Sequence, residues 1–408
     1  MLPVNTYTLP NGLKILHHRD TNTAMVTVSI LYKVGARDES DNHRGLAHLF
    51  EHLMFGGSKN IPDFDGALQR AGGVSNAFTS DDVTYFYDLI PAHNAETAFW
   101  LESDRMNQLA FTQKSLETQR SVVVEEFKQV CLNQPYGDLY HNLKRTAYHV
   151  HPYRVPVIGE KPEDIMNVDM DTVRNFFYSH YSPSNAILTV TGNISFEKTI
   201  ELATRWFATI EPRKTAPAIY PQEPKQISHR HIEVNGEVPN TVIVKAYHMD
   251  GFGQEYVAAD ILSDILGNGK SSRLIRKGVM EGELMLGADA SISGTIDPGL
   301  FMLTATLRPG ASVTETEKEL TKIAHSVIDM IPTAMELDRA VNQYEARLKF
   351  KNLSYDSLAR SLALNESVGT DFDRLLEMYH NLTPESIATT ARKIFDENNS
   401  TTLIYSPR

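Results

Sequence analysis

Residues 24–35 read Ala-Met-Val-Thr-Val-Ser-Ile-Leu-Tyr-Lys-Val-Gly, and 216 residues further on, at 240–251, the chain reads Asn-Thr-Val-Ile-Val-Lys-Ala-Tyr-His-Met-Asp-Gly. Each is a strand-length run rich in β-branched and aromatic residues and closed by a glycine. The match is not isolated. Ser75–Leu89 parallels Ser291–Ala305 at the same offset, and Leu116–Gln129 resembles Met335–Leu348 at an offset of 219. Asp169–Gly192 and Thr383–Pro407 both run from a helix opening into a closing strand. Repetition at a fixed spacing marks an internal duplication. Each half reads as a strand, a long buried helix, two or three strands, two or three helices and a last strand. That pattern predicts a mainly antiparallel sheet with helices packed on it. The expected fold class is α+β, with two homologous halves in a clamshell arrangement.

Between the repeats lies Glu211-Pro-Arg-Lys-Thr-Ala-Pro-Ala-Ile-Tyr-Pro-Gln-Glu-Pro224, whose proline density suits an extended linker. The expected organisation is a metal-bearing domain at 1–211, the linker at 212–224 and a homologous domain without a metal motif at 225–408. A net charge of −12 disfavours nucleic acid and anionic membrane surfaces as partners, and modestly favours basic peptides. The single cysteine, Cys131, excludes an intrachain disulfide and a multi-thiolate site, so a metal must rely on histidine and carboxylate. The first residues lack the character of a signal or transit peptide, and no run approaches the roughly 18 apolar residues of a membrane span. A soluble, cytoplasmic protein is the expectation.

After the first of these strands, residues 45–57 read Gly-Leu-Ala-His-Leu-Phe-Glu-His-Leu-Met-Phe-Gly-Gly. On a helix His48 and His52 stand one turn apart on one face, so two imidazoles can converge on one ion. Glu51 lies at the edge of that face, beside whatever water the ion would hold. Every other position from Leu46 to Phe55 is apolar, and three ionisable groups on such a helix need partners or a metal. Two imidazoles leave the coordination incomplete. The supplement is sought in Leu116–Val130, which offers Glu125 and Glu126. Glu126 shares its helix face with Val122, Val123 and Val130, whereas Glu125 lies with Thr118, Ser121 and Lys128. A carboxylate on the apolar stripe calls for a cation, so Glu126 is the expected third ligand and Glu125 a solvated or second-layer group. The pairs His229/His231 and His149/His151 are read as solvated or capping residues.

His48-x-x-Glu51-His52, with Glu126 74 residues beyond His52, resembles the pitrilysin (inverzincin) family of zinc metallopeptidases. Gly72-Gly-Val-Ser-Asn-Ala-Phe-Thr79 with Thr84-Tyr85, His151-Pro-Tyr-Arg154 with Gly159, and Tyr181-Ser-Pro-Ser-Asn-Ala186 leading into Gly192-Asn193 carry the resemblance through the first half. The duplicated halves extend it over essentially the whole chain, which is similar to the short members such as processing-peptidase subunits and bacterial two-subunit peptidases. The resemblance implies that His48, His52 and Glu126 bind Zn2+ and that Glu51 is the general base. Zinc draws the pKa of its water from ~16 toward ~7, and Glu51 can pass the proton to the leaving amine. It also implies that peptide substrate adds as a strand along Asn76, Ala77, Phe78 and Thr79.

The chain departs from the family pattern twice. Where a second glutamate often supports the site, seven residues before the ligand, this chain has Gln119. Self-sufficient members also carry an arginine and a tyrosine that grip substrate, after a Gly-rich segment like Leu266–Leu274, yet Gly278–Ala288 contains neither. The sequence therefore points to a zinc endopeptidase acting on peptides or unfolded segments, as the catalytic subunit of a dimer. The partner would be a homologous chain supplying the Arg/Tyr pair (hetero-dimer) or a second copy (homo-dimer). The alternative is a non-catalytic structural or peptide-binding subunit. Chains of that class typically lose the motif that His48, Glu51, His52 and Glu126 keep here.

Overall fold

The computed structural model describes residues 2–213, 219–294 and 296–408; linker residues 214–218, with Pro217, lie outside the described residues. The first half contributes strands β1 (Asn5–Thr8), β2 (Lys14–Arg19), β3 (Met25–Tyr32), β4 (Val74–Thr79), β5 (Thr84–Pro91) and β6 (Ala186–Gly192). The second contributes β7 (Arg230–Gly236), β8 (Val242–Met249), β9 (Met285–Ser293), β10 (Gly299–Leu307) and β11 (Ser400–Pro407). Their sheets run β1-β2-β6-β3-β5-β4 and β7-β11-β8-β10-β9. Among the described residues, β2–β6 and β7–β11 pair in parallel and the other strand pairings are antiparallel. The duplication is visible in the register itself. Val28 faces Asp88 between β3 and β5, and Val244 faces Thr304 between β8 and β10, both members displaced by 216 residues.

β3 is buried along nearly its whole length because helices cover both faces of its sheet. Val26, Val28, Ile30 and Tyr32 join the core built with α1 (Leu46–Phe55), α2 (Phe64–Arg70), α3 (Ala95–Asn107) and α4 (Gln113–Phe127). Leu31 faces the other way, with Leu16, Tyr85 and Ile187, onto Leu358, Leu362 and Ala363. Those three residues sit on the helix Tyr355–Ser367, which the second half of the sequence encodes. The exchange is reciprocal. α5 (Leu139–Ala147) packs Leu139, Leu143 and Ala147 with Val242, Val244 and Ala246 of β8.

Two compact units result: one from residues up to Lys128, Pro156–Tyr220 and Lys349–Leu375, the other from Gln129–Val155, Pro221–Leu348 and Leu376–Arg408. A sheet with two apolar faces needs a helical layer on each, and each half of the chain sends one helix to the other's sheet. Among the described residues, no helix is long and apolar enough to cross a membrane.

Candidate metal centre

The chain enters α1 through Gly45, held at a φ of 82° where a Cβ would lie 2.9 Å from the Ile158 carbonyl oxygen. Glycine is the residue that takes this backbone conformation without strain. Gly45 has no side chain to cap the helix, and Glu39 supplies the cap instead. Its Oε2 accepts from Gly45 N at 2.8 Å and its Oε1 from Ala47 N at 2.7 Å, in a site where Glu39 is buried. Two of the N–H groups that a helix start leaves unsatisfied are thereby answered just ahead of His48.

Leu46, Ala47, Leu49, Phe50, Leu53 and Met54 are buried, leaving His48, Glu51 and His52 on the half-covered side of α1. The two imidazole centroids stand 4.9 Å apart, edge to face. Glu126, near the end of α4, meets both: His48 Nε2 lies 3.7 Å from its Oε1 and His52 Nε2 3.3 Å from its Oε2. Donor atoms of these three residues all lie within 4.8 Å of one another, a grouping found only here among the described residues. Tetrahedral zinc with ligands at about 2.0–2.2 Å spaces its donors about 3.4 Å apart, so the set fits such an ion.

Burial lowers the pKa of both histidines, against the raising influence of Glu126, and so favours the neutral imidazole that ligation requires. His48 Nδ1 is buried without a hydrogen-bond partner, so packing and the Glu126 contact at Nε2 hold that ring. Burial also raises the Glu51 carboxyl, helped by the nearby Glu126 charge and opposed by the Thr79 hydroxyl, which donates to Glu51 Oε2 at 2.5 Å. A carboxylate raised toward neutrality suits proton transfer.

Thr79 ends β4, the edge strand of its sheet. Successive side chains of the strand alternate. Ala77 packs on the α1 side, while Phe78 packs on the side covered by Tyr355–Ser367. Asn76 takes the Phe78 side, and its Oδ1 accepts from Ala77 N at 2.8 Å. Of the four expected substrate-contacting residues, only Thr79 touches the Glu51 carboxylate; all four lie on the edge strand.

The supporting residues are placed differently from one another. Gln119 is half-buried on α4, and its side chain makes no hydrogen bond among the described residues. Glu125 is not brought to the site: its carboxylate takes Lys128 Nζ at 2.7 Å on the exposed side of α4. Glu126 does not lie on the apolar stripe that the helix wheel predicts. α4 buries Leu116, Val123, Val124 and Phe127, whereas Val122 and Val130 are 45% and 44% exposed. Glu126 stands on an open face and gains its partners from α1 across the groove. Glu39 and the Thr79–Glu51 contact were not foreseen; the one available signal for Glu39 was an acidic residue shortly before a glycine-led helix.

In the second half Asp264 occupies the position of His48, and its carboxylate binds Arg347 Nη2 at 2.5 Å and Asn268 Nδ2 at 2.8 Å. Glu345, the counterpart of Glu126, accepts from His380 Nε2 at 3.1 Å. Charges that face an ion site in one half are closed internally in the other. His151 caps a turn by accepting from Tyr153 N, and His229 binds Ser400 Oγ.

Two family models match the chain. A family model described as "Insulinase (Peptidase family M16)" matches residues 14–161, and one described as "Peptidase M16 inactive domain" matches residues 167–344. The chain is 31% identical over 412 residues to the zinc protease PqqE of Helicobacter pylori, covering 98% of this chain and 92% of that one. It is 24% identical over 210 residues to a probable mitochondrial-processing peptidase subunit beta of Arabidopsis thaliana, covering 51% of this chain and 39% of that protein. The crystal structure of a protease from Helicobacter pylori superposes with a TM-score of 0.94 at 29% identity, each chain covered fully.

Proposed function

Because the chain belongs to peptidase family M16, a family of zinc peptidases built from two homologous halves, we propose that it is a zinc-dependent endopeptidase hydrolysing peptides or unfolded segments. The observation that carries this reading is the convergence of His48, His52 and Glu126 beside a Glu51 that Thr79 ties to the free edge strand. His48, His52 and Glu126 would hold the ion. Zinc in such a site acidifies water and polarises a carbonyl.

The remaining chemistry belongs to this chain's own residues. β4 binds extended backbone by hydrogen bonds that tolerate many side chains. Glu51, raised by burial, takes a proton from the attacking water and returns it to the departing amine. Thr79 fixes the carboxylate oxygen it binds, so the free oxygen is the one turned to the water.

A second chain enters the proposal because Gly278–Ala288 holds no arginine or tyrosine. A homologous subunit, or a second copy of this chain, would complete the substrate grip. The same absence favours one alternative, a subunit that captures peptide without cutting it. Zinc content and hydrolysis separate the two. The chain should carry about one zinc, and Glu51→Gln should retain it while losing at least about a hundredfold in kcat. Substoichiometric metal under non-chelating conditions, or hydrolysis untouched by Glu51→Gln, overturns the catalytic reading. High turnover by the isolated monomer overturns the need for a partner.

A further inference from the structure

The second face of β4 bears on which peptides that edge would accept, and the argument rests on the peptidase reading above. A peptide strand added to β4 directs alternate side chains to opposite faces of the sheet. Those on the α1 side meet acidic groups: Glu51, Glu126, and Asp65, whose Oδ1 accepts from Ser75 Oγ at 3.3 Å. The other face is chemically opposite. There the Phe78 ring stacks 5.4 Å from Tyr85, which lies 6.1 Å from Tyr87, and the Arg360 guanidinium stands 5.8 Å from the Phe78 centroid.

Asn352 Oδ1 accepts from Ser361 Oγ at 2.8 Å, which holds the neighbouring Lys351 near Arg360; burial, and then the Arg360 charge, depress the Lys351 ammonium. Among the described residues neither cation forms an ion pair, and the local carboxylate, Asp356, instead accepts from Ser354 Oγ. Arg360 comes from the exchanged helix Tyr355–Ser367, and Lys351 immediately precedes it. Two like charges beside the edge strand, with Asp356 near them but paired to neither, run against a chain of net charge −12. Each would be stabilised by an anion supplied from outside the chain.

We infer that Arg360 and Lys351 make the outer face of β4 a selectivity surface for acidic side chains, so that the preferred substrates are extended peptides with Asp or Glu at positions alternating with those that face α1. The half-buried rings of Phe78 and Tyr87 would cover the aliphatic stem of such a side chain, with Tyr85 buried beneath them, while the two cations take its carboxylate.

The test is a charge walk with the full-length zinc-loaded protein, together with any partner subunit it requires. Quenched fluorescent peptides of one parent sequence carry Glu, Gln or Lys at successive positions across the cleavage site, and kcat/KM is measured for each. Glutamate should be preferred over lysine by about fivefold at every second position, and not at the positions between. Lys351→Glu, at an exposed residue, and Arg360→Glu should each weaken or reverse that preference with zinc content unchanged. Equal rates for the three residues, a preference without two-residue alternation, or a preference surviving in both variants overturns this inference alone. Failure to cut any peptide overturns the peptidase reading and this inference with it.

Discussion

Asp88 on β5 is fully buried, with both carboxylate oxygens unpaired, beside the ion pair of Glu102 and Arg105. Burial and the neighbouring Glu102 charge hold its carboxyl well above the ordinary aspartate range, against the pull of Arg105. The folded chain therefore keeps a proton that the unfolded chain releases near pH 4, and stability falls as pH rises through the folded value. Between about pH 4 and the folded value the slope should be about 1.4 kcal/mol per pH unit, fading above it. Asp88→Asn should remove that slope, seen as urea midpoints that change less between mildly acidic and alkaline pH than in the wild type. An identical pH dependence in the two proteins would show that Asp88 is ionised in the fold. Residues of this kind divide by how they could be read from sequence. His48, Glu51 and His52 are legible because one helical turn and an apolar setting leave few other roles for them. Asp88 gave no such signal, since an acidic residue in a strand reads as solvent-facing until both sheet faces are known to be covered.

At the level of elements, α1 depends on a side chain outside it. Glu39 bonds Gly45 N and Ala47 N, so its removal frees the helix start that aims His48. Glu39→Ala should cost about 1–3 kcal/mol of stability, read as a lower thermal midpoint, and should weaken zinc binding about tenfold or more in chelator competition. Zinc affinity equal to that of the wild type would limit Glu39 to a purely structural role. Gly45→Ala should be at least as damaging to stability, because the new Cβ meets Ile165 Cδ1 at 2.5 Å in a backbone conformation that favours glycine. The strands, α1 and α4 were legible from hydrophobic periodicity, and the strand registers follow the 216-residue repeat. The role of Val122 and Val130 was not, because a helix wheel shows which residues share a face and says nothing of what lies opposite.

At the level of the whole molecule, the two homologous halves were legible and the exchange of α5 and Tyr355–Ser367 was not. Local patterning marks a helix as amphipathic without naming the sheet that receives it. A fragment ending at residue 213 would lack Leu358, Leu362 and Ala363 and leave Leu16, Leu31 and Ile187 uncovered. Such a fragment should be insoluble or lack near-ultraviolet circular dichroism, and co-expression with residues 219–408 should restore a folded complex. A stable, monomeric fragment would mean that the exchanged helix is dispensable. The same exchange orders events during synthesis. The helix that completes the first sheet leaves the ribosome roughly 170 residues after β6, about 10–30 s later at ordinary elongation rates. If the chain cuts peptides as proposed, a site whose scaffold closes only when synthesis is almost finished would stay harmless while its own nascent polypeptide is the nearest unfolded substrate.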